Sequence, residues 1–186
     1  MIDNEYSGRL FIPSREYERI EALVVDLYEE VGITETPIDA FAVARKKNYL
    51  LKPFTQLKNV ATREIYGISA DGFSLYDPEK KCFVIFYDNL QCKERQRFTI
   101  MHEIGHILLG HKDESDLANQ MANYFAGYSL APYPIMDLYR IEDCIQLARF
   151  FGVSRDCAQL CIKRYEKWKL RRESLSYERK LLSMID

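Results

Sequence analysis

All three histidines of this 186-residue chain fall within ten positions, in the stretch RFTIMHEIGHILLGH. His102 and His106 are four residues apart, so a helix through them projects both imidazoles from one face, where they can share a metal ion. Glu103, one position on, is rotated about 100° around the helix axis, which aims its carboxylate at a water beside the metal rather than at the metal. Two neutral nitrogens and a carboxylate in the spacing H-E-x-x-H are the parts of a zinc hydrolase. The metal lowers the pKa of water towards ~7 and the Glu takes the proton. Phe98, Met101, Gly105 and Leu108 make the rest of this helix apolar, so it belongs in a core. A buried face bearing two imidazoles and a carboxylate needs partners to offset desolvation, and a zinc ion is one.

The elements around that helix follow from periodicity. Ile20, Leu23, Val24, Leu27, Tyr28 and Val31 have the spacing of one apolar helix face over 15–31, with Ser14 offering a cap and Gly32 a stop. Pro37 opens a second, shorter helix with Asp39 in its first turn. Residues 49–51 and 65–87 read as strands, punctuated by turns at Asp71-Gly72 and Asp77-Pro78. Their best candidate for a buried central strand is CFVIFY (82–87), in a small mixed or antiparallel sheet. Helices follow over about 94–112 (ending at Gly110) and 116–129 (stopping before Pro132 and Pro134). A third, holding Ile141, Cys144, Ile145, Ala148 and Phe151, closes at Gly152. Ser154 caps a last helix that runs into the charged tail. The expected fold class is α+β, mostly helical. The expected division is residues 1–135 as the domain that carries the H-E-x-x-H helix and 136–186 as a helical extension packed with it as one unit.

Composition narrows the function classes. Lys plus Arg (26) against Asp plus Glu (28) leave −2 at pH 7, so no overall field favours nucleic acid or a membrane surface. The longest apolar run is six residues, far short of the ~20 that span a bilayer, and MIDNEYSGRLF lacks the apolar core of a signal peptide. Five cysteines, an odd number with no C-x-x-C pair, suit a reduced, cytoplasmic protein, with Cys157 and Cys161 packing as small apolar residues.

The third ligand is harder to place. The pattern H-E-x-x-H-x-x-G-x-x-H would need Gly and His where Leu109 and Lys112 stand. His111 falls roughly 140° off the ligand face and suits the helix C-terminus. The remaining option is a ligand from the following helix. At this point the chain resembles a known family. FTIMHEIGHILLGH followed by LANQMANYFAGYSLAP is similar to the ImmA/IrrE zinc metallopeptidases, as are DGFSLYDPEKKCFVIFYD with RQRFT, the segment TPIDAFAVA and the later LARFFGVS. The resemblance covers about residues 20–165. It implies a gluzincin-like fold and a zinc cofactor, with His102 and His106 as ligands and Glu103 as catalytic base. It also implies a helix-turn-helix repressor, often of a phage or integrative element, as substrate or partner. The family's second helix reads E-x-x-[small]-[Asp/Asn]. Here Ala122-Asn123 fits its last two positions, and the ligand position falls on Asn119. Asn123 would then orient a histidine. An amide is a neutral, weaker donor than a carboxylate. Asp116 and Glu114 are nearby alternatives, and an alignment shifted to Met121 would be worse.

Two other classes stay open. IQLARFFGVSRDCAQLCIKR has the look of a helix-turn-helix, and residues 163–172 carry six basic side chains against one acidic, so a DNA-binding regulator is a second reading. Asn119 motivates a third, a pseudo-peptidase that binds its repressor without cutting it. An edge strand within Tyr66–Tyr76 is the expected seat for an extended peptide.

Overall fold

The computed structural model describes residues 12–57, 69, 71–112, 115–171 and 174–185. The chain opens with α1 (Ser14–Val31), which buries Ile20, Val24, Leu27, Tyr28 and Val31 and stops at Gly32 with φ +61°. The expected Ser14 cap is not used. Pro13 takes the cap position with no side-chain bond, and its fixed φ of −59° leads straight into the helix. The second helix likewise begins later than expected. Asp39 is its cap rather than a first-turn residue, accepting the N–H groups of Phe41 (2.9 Å) and Ala42 (3.2 Å), and α2 runs Ala40–Lys46.

Three strands form one mixed sheet in the order β1-β3-β2. β1 (Leu50–Pro53) pairs parallel with β3 (Cys82–Tyr87), and β2 (Gly72–Asp77) pairs antiparallel with it, placing Ser74 opposite Ile85. The CFVIFY run is the central strand, as its unbroken apolar character predicts. Asp77 holds the β2–β3 turn by accepting the N–H groups of Glu79 and Lys80, both at 3.0 Å. Most of the expected strand before Gly72 (65–68 and 70) lies outside the described residues.

The helical half starts with α3 (Lys93–Leu109), closed by Gly110 at φ +70°, and α4 (Asp116–Leu130), capped by Ser115. These two pack face to face at very short range. A Cβ added to Gly105 would lie 3.0 Å from the Phe125 ring, so only glycine at 105 permits this approach without displacement. Next come α5 (Tyr133–Leu138), α6 (Cys144–Phe151), α7 (Arg155–Lys169) and α8 (Ser176–Met184). Two of these were not expected. Pro132 and Pro134 end α4 but also start α5, because proline is tolerated at a cap and in a first turn. The charged tail is not a continuation of α7: α8 is a separate helix that buries Leu181 and Glu178. Ile141 precedes α6, whose cap is Asp143. Ser154 caps α7 as expected. One apolar core runs from Ile12 to Ile185 and takes in side chains from α1 through α8.

Two charge networks, one buried and one part-buried, lock the helices. Glu21 on α1 accepts the Tyr124 hydroxyl from α4 and the Tyr177 hydroxyl (2.6 Å) from α8. Burial pushes its carboxyl pKa above the usual range, and those two hydroxyls and Arg171 pull against that rise. Arg97 on α3 donates to the carbonyls of Ile38 (2.7 Å) before α2, and Phe151 (3.1 Å) and Gly152 at the end of α6. Arg97→Met removes all of these charged donors from a part-buried site. A loss of about 2–4 kcal/mol in urea unfolding is expected, with Arg97→Lys recovering only part of it.

Candidate functional site

The site is assembled on α3 from two sides. His102 and His106 converge with their Nε2 atoms 3.0 Å apart and their ring planes at 66°. Two nitrogens bound tetrahedrally to one zinc at about 2.0–2.1 Å stand roughly 3.3 Å apart, so this pair already approaches the spacing that a shared cation requires. Burial pushes the His102 pKa down to about 4, with the His106 charge adding to the effect and Asn123 and Asn119 opposing it. A neutral imidazole is the ligating form. Nδ1 of His102 is buried and makes no hydrogen bond of good geometry among the described residues, although the two asparagine amides are close enough to favour its protonated form.

The other imidazole has a partner that spacing alone did not reveal. His111 sits just past the Gly110 stop, at the helix C-terminus as expected, and from there its Nδ1 meets His106 Nδ1 at 3.0 Å. One side chain is therefore aligned from behind by the other. The αL turn at Gly110 folds the chain back and makes this contact.

Glu103 is buried, 7% exposed, and its Oε2 accepts the Ser74 hydroxyl at 2.8 Å. Ser74 belongs to β2, an edge strand among the described residues, so the sheet edge and the carboxylate are in direct contact. Gly72 allows it: a Cβ there would lie 2.5 Å from Thr99 on α3 and 2.6 Å from the Phe86 carbonyl. Residues 66–68 and 70 of the expected edge segment lie outside the described residues, whereas Ser69, Asp71 and Gly72 line the cavity beside Glu103 and Ser74 bonds to it. Ser74 was covered by that segment but carried no motif of its own.

From the opposite side, α4 brings Asn119 and Asn123 towards His102, as the spacing predicts. Asp116 instead opens α4 as an exposed first-turn residue, Met121 is buried, and Glu114 lies outside the described residues. Among the described residues no group of three His, Cys, Asp or Glu side chains is placed to hold a metal. The two imidazoles are nitrogen donors that suit zinc, and with the Asn119 amide near His102 as a third donor the set would carry one negative charge fewer than with a carboxylate.

Asn123, His102 and Glu103 line a cavity of about 280 Å³, together with Gly72, Thr99 and the Arg95–Asp71 ion pair (Nε to Oδ1 2.8 Å). A second cavity of about 290 Å³ shares Arg95, Phe98 and Asn123 with it and continues to α7, where Cys157, Cys161 and Arg164 form its wall. Among the described residues no helix is long and apolar enough to cross a membrane.

An H-E-x-x-H helix held between a small mixed sheet and a second helix is a peptidase-type arrangement on an α+β fold. The sequence matches the IrrE N-terminal-like domain, of the peptidase M78 type, over residues 66–163, and the chain belongs to that family. Among solved structures, it is similar to a Mycobacterium tuberculosis transcriptional regulator. The two are 18% identical, with a TM-score of 0.51 over 77% of this chain and 46% of that one. The likeness is one of fold, and this chain spans less than half of that regulator's length. No curated protein matches the sequence.

The lowered His102 pKa has a sign that can be checked. A histidine whose pKa falls on folding leaves the unfolded state binding more protons, so stability drops as pH falls from about 6.5 towards about 4. In the presence of a chelator, the stability difference between the native chain and His102→Asn is expected to shrink across that window. A difference that stays constant with pH, in urea titrations, would contradict a buried neutral His102.

Proposed function

We propose that this chain is a zinc-dependent peptidase that cleaves a helix-turn-helix repressor. The observation that carries the reading is the buried Glu103 carboxylate, tied to the edge strand through Ser74 and adjacent to the paired Nε2 atoms of His102 and His106. His102, His106 and the Asn119 amide would hold the zinc, which when bound polarises water and the substrate carbonyl. Residues 1–135 are taken as the peptidase unit and 136–186 as its helical extension.

The chain's own groups divide the remaining work. Ser74 holds Oε2 of Glu103, and the carboxylate would take a proton from the attacking water and return it to the leaving amide nitrogen. Asn119 and Asn123 bear on His102, and His111 on His106, so neither ring turns freely. The edge of β2, open among the described residues, offers backbone groups to an extended peptide, which would align a carbonyl across the cavity.

A repressor substrate is supported by the family and by the fold shared with a protein called a transcriptional regulator. Direct DNA binding is the weaker reading because part of the basic run is engaged by neighbouring side chains. Arg164 stacks on Tyr124 (4.7 Å), Lys169 lies over Tyr165 (5.1 Å), and Arg171 pairs with Glu178 (2.6 Å). The neutral Asn119 favours a different second reading, a protein that binds its repressor without cutting it.

Incubation with a cognate helix-turn-helix repressor separates the two. A defined fragment is expected, with Glu103→Gln lowering its rate about 10²–10⁴-fold. A stable complex that never yields a fragment would sink the peptidase.

A further inference from the structure

Five cysteines are spread along the chain, and two of them meet. α7 starts at the Ser154 cap, and Cys157 lies in its first turn with its N–H bonded to Ser154 Oγ at 3.3 Å. Cys161 is one turn further on the same face, and the two Sγ atoms are 4.0 Å apart. Both line the second cavity beside Gly127 and Arg164, in the region that continues into the cleft of His102 and Glu103. Neither takes part in the chemistry proposed for that cleft. We propose that Cys157 and Cys161 form a peroxide-reactive dithiol, with Cys157 as the attacking thiolate and Cys161 as the resolving thiol.

The surroundings differentiate the two sulfurs. Cys161 is 1% exposed, and its one S–H proton has the Cys157 sulfur at 4.0 Å and the Gly127 carbonyl at 3.8 Å as acceptors, so it keeps its proton. Contact with Cys157 and burial both push its pKa up. Cys157 is half-buried, faces the cavity and sits at a helix N-terminus, where the free N–H groups favour an anion. The Cys161 thiol pulls the Cys157 pKa down against the effect of burial, and the Arg164 and Arg97 guanidinium groups help. Arg97 is fixed by its bonds to Ile38, Phe151 and Gly152, so its charge stays near this turn. A thiolate with access to a cavity and two cations close by is the environment in which cysteine reacts with peroxide.

The chemistry balances with hydrogen peroxide as the oxidant. The Cys157 thiolate attacks one peroxide oxygen; an S–O bond forms, the O–O bond breaks, and hydroxide leaves and takes up a proton. Cys157 is then a sulfenic acid. The Cys161 sulfur attacks it; an S–S bond forms, the S–O bond breaks, and water leaves with the Cys161 proton. Two electrons pass from the thiols to the peroxide, giving one disulfide and two waters.

The geometry also makes the product reversible and structurally consequential. Side chains four apart on a helix have Cβ atoms about 5–6 Å apart, whereas a disulfide needs roughly 3.5–4.5 Å. Closing the bond therefore pulls the first turn of α7 out of register, and a bond closed under strain is readily reduced. That turn carries Ser154 and Asp156, which share the cavity wall with Phe98 and Asn123.

The test treats the full chain with hydrogen peroxide, followed by peptide mass mapping. Loss of two thiols at Cys157 and Cys161, restored by dithiothreitol, is expected. Cys161→Ser should stop at a sulfenic acid on Cys157 captured by a 1,3-diketone probe, and Cys157→Ser should leave Cys161 reduced. Iodoacetamide labelling of the unaltered protein is independent of how the variants fold. Below pH 7, Cys157 is expected to react at least ~10-fold faster than the exposed Cys92, following its greater thiolate fraction. Oxidation confined to Cys92, oxidation of Cys161 undiminished by Cys157→Ser, or faster labelling at Cys92 would each overturn the proposal.

Discussion

The close approach of α3 to its two neighbours is the constraint on which the site depends. Gly105 lets the Phe125 ring of α4 occupy the space a Cβ would need, and Gly72 lets β2 do the same against Thr99. One contact brings Asn119 and Asn123 towards His102; the other brings the Ser74 hydroxyl to Glu103. Widening either would leave a charged or polar group of α3 buried without its partner, which costs more than the packing lost. The apolar residues of α3 therefore do more than fill a core. Ile100, Met101 and Ile104 are fully buried, and they fix the rotation of a helix whose polar face must point to one place.

The near-zero net charge of the chain hides a strongly directed interior. Arg97 joins α3 to the start of α2 and the end of α6, and Glu21 joins α1 to α4 and α8. Both are charges with several hydrogen bonds, the condition under which burial of an ion is tolerated. Through them the C-terminal helices are tied to the helix that bears the histidines. The same Arg97 charge falls near the first turn of α7, so a link that serves the fold also sets the electrostatics around Cys157.

Much of this was legible in the residues. The i, i+4 spacing of His102 and His106, the CFVIFY strand, the αL stops at Gly32, Gly110 and Gly152, and the Ser154 cap are local signals, and local signals survive tertiary context. What escaped was non-local or ambiguous. Proline at 132 and 134 is read equally well as the end of one helix or the beginning of another, and here it is both. The parallel pairing of β1 with β3 depends on a crossover, which alternation of side chains does not encode. Ser74 and His111 reach the site through a strand register and a chain reversal, and neither residue type marks such a role by itself. Asn119 was singled out by a resemblance rather than by its own residue type, and the structure sets it near His102.

The central claim is that two converging imidazoles and a neutral amide suffice to hold zinc beside Glu103. Metal content of the purified protein, for the native sequence, His102→Ala and Asn119→Glu, tests it most directly. Near-stoichiometric zinc in the native chain, absent from His102→Ala and held more tightly by Asn119→Glu, is the predicted result. A native chain that cannot be loaded with zinc while Asn119→Glu takes it up would contradict the claim.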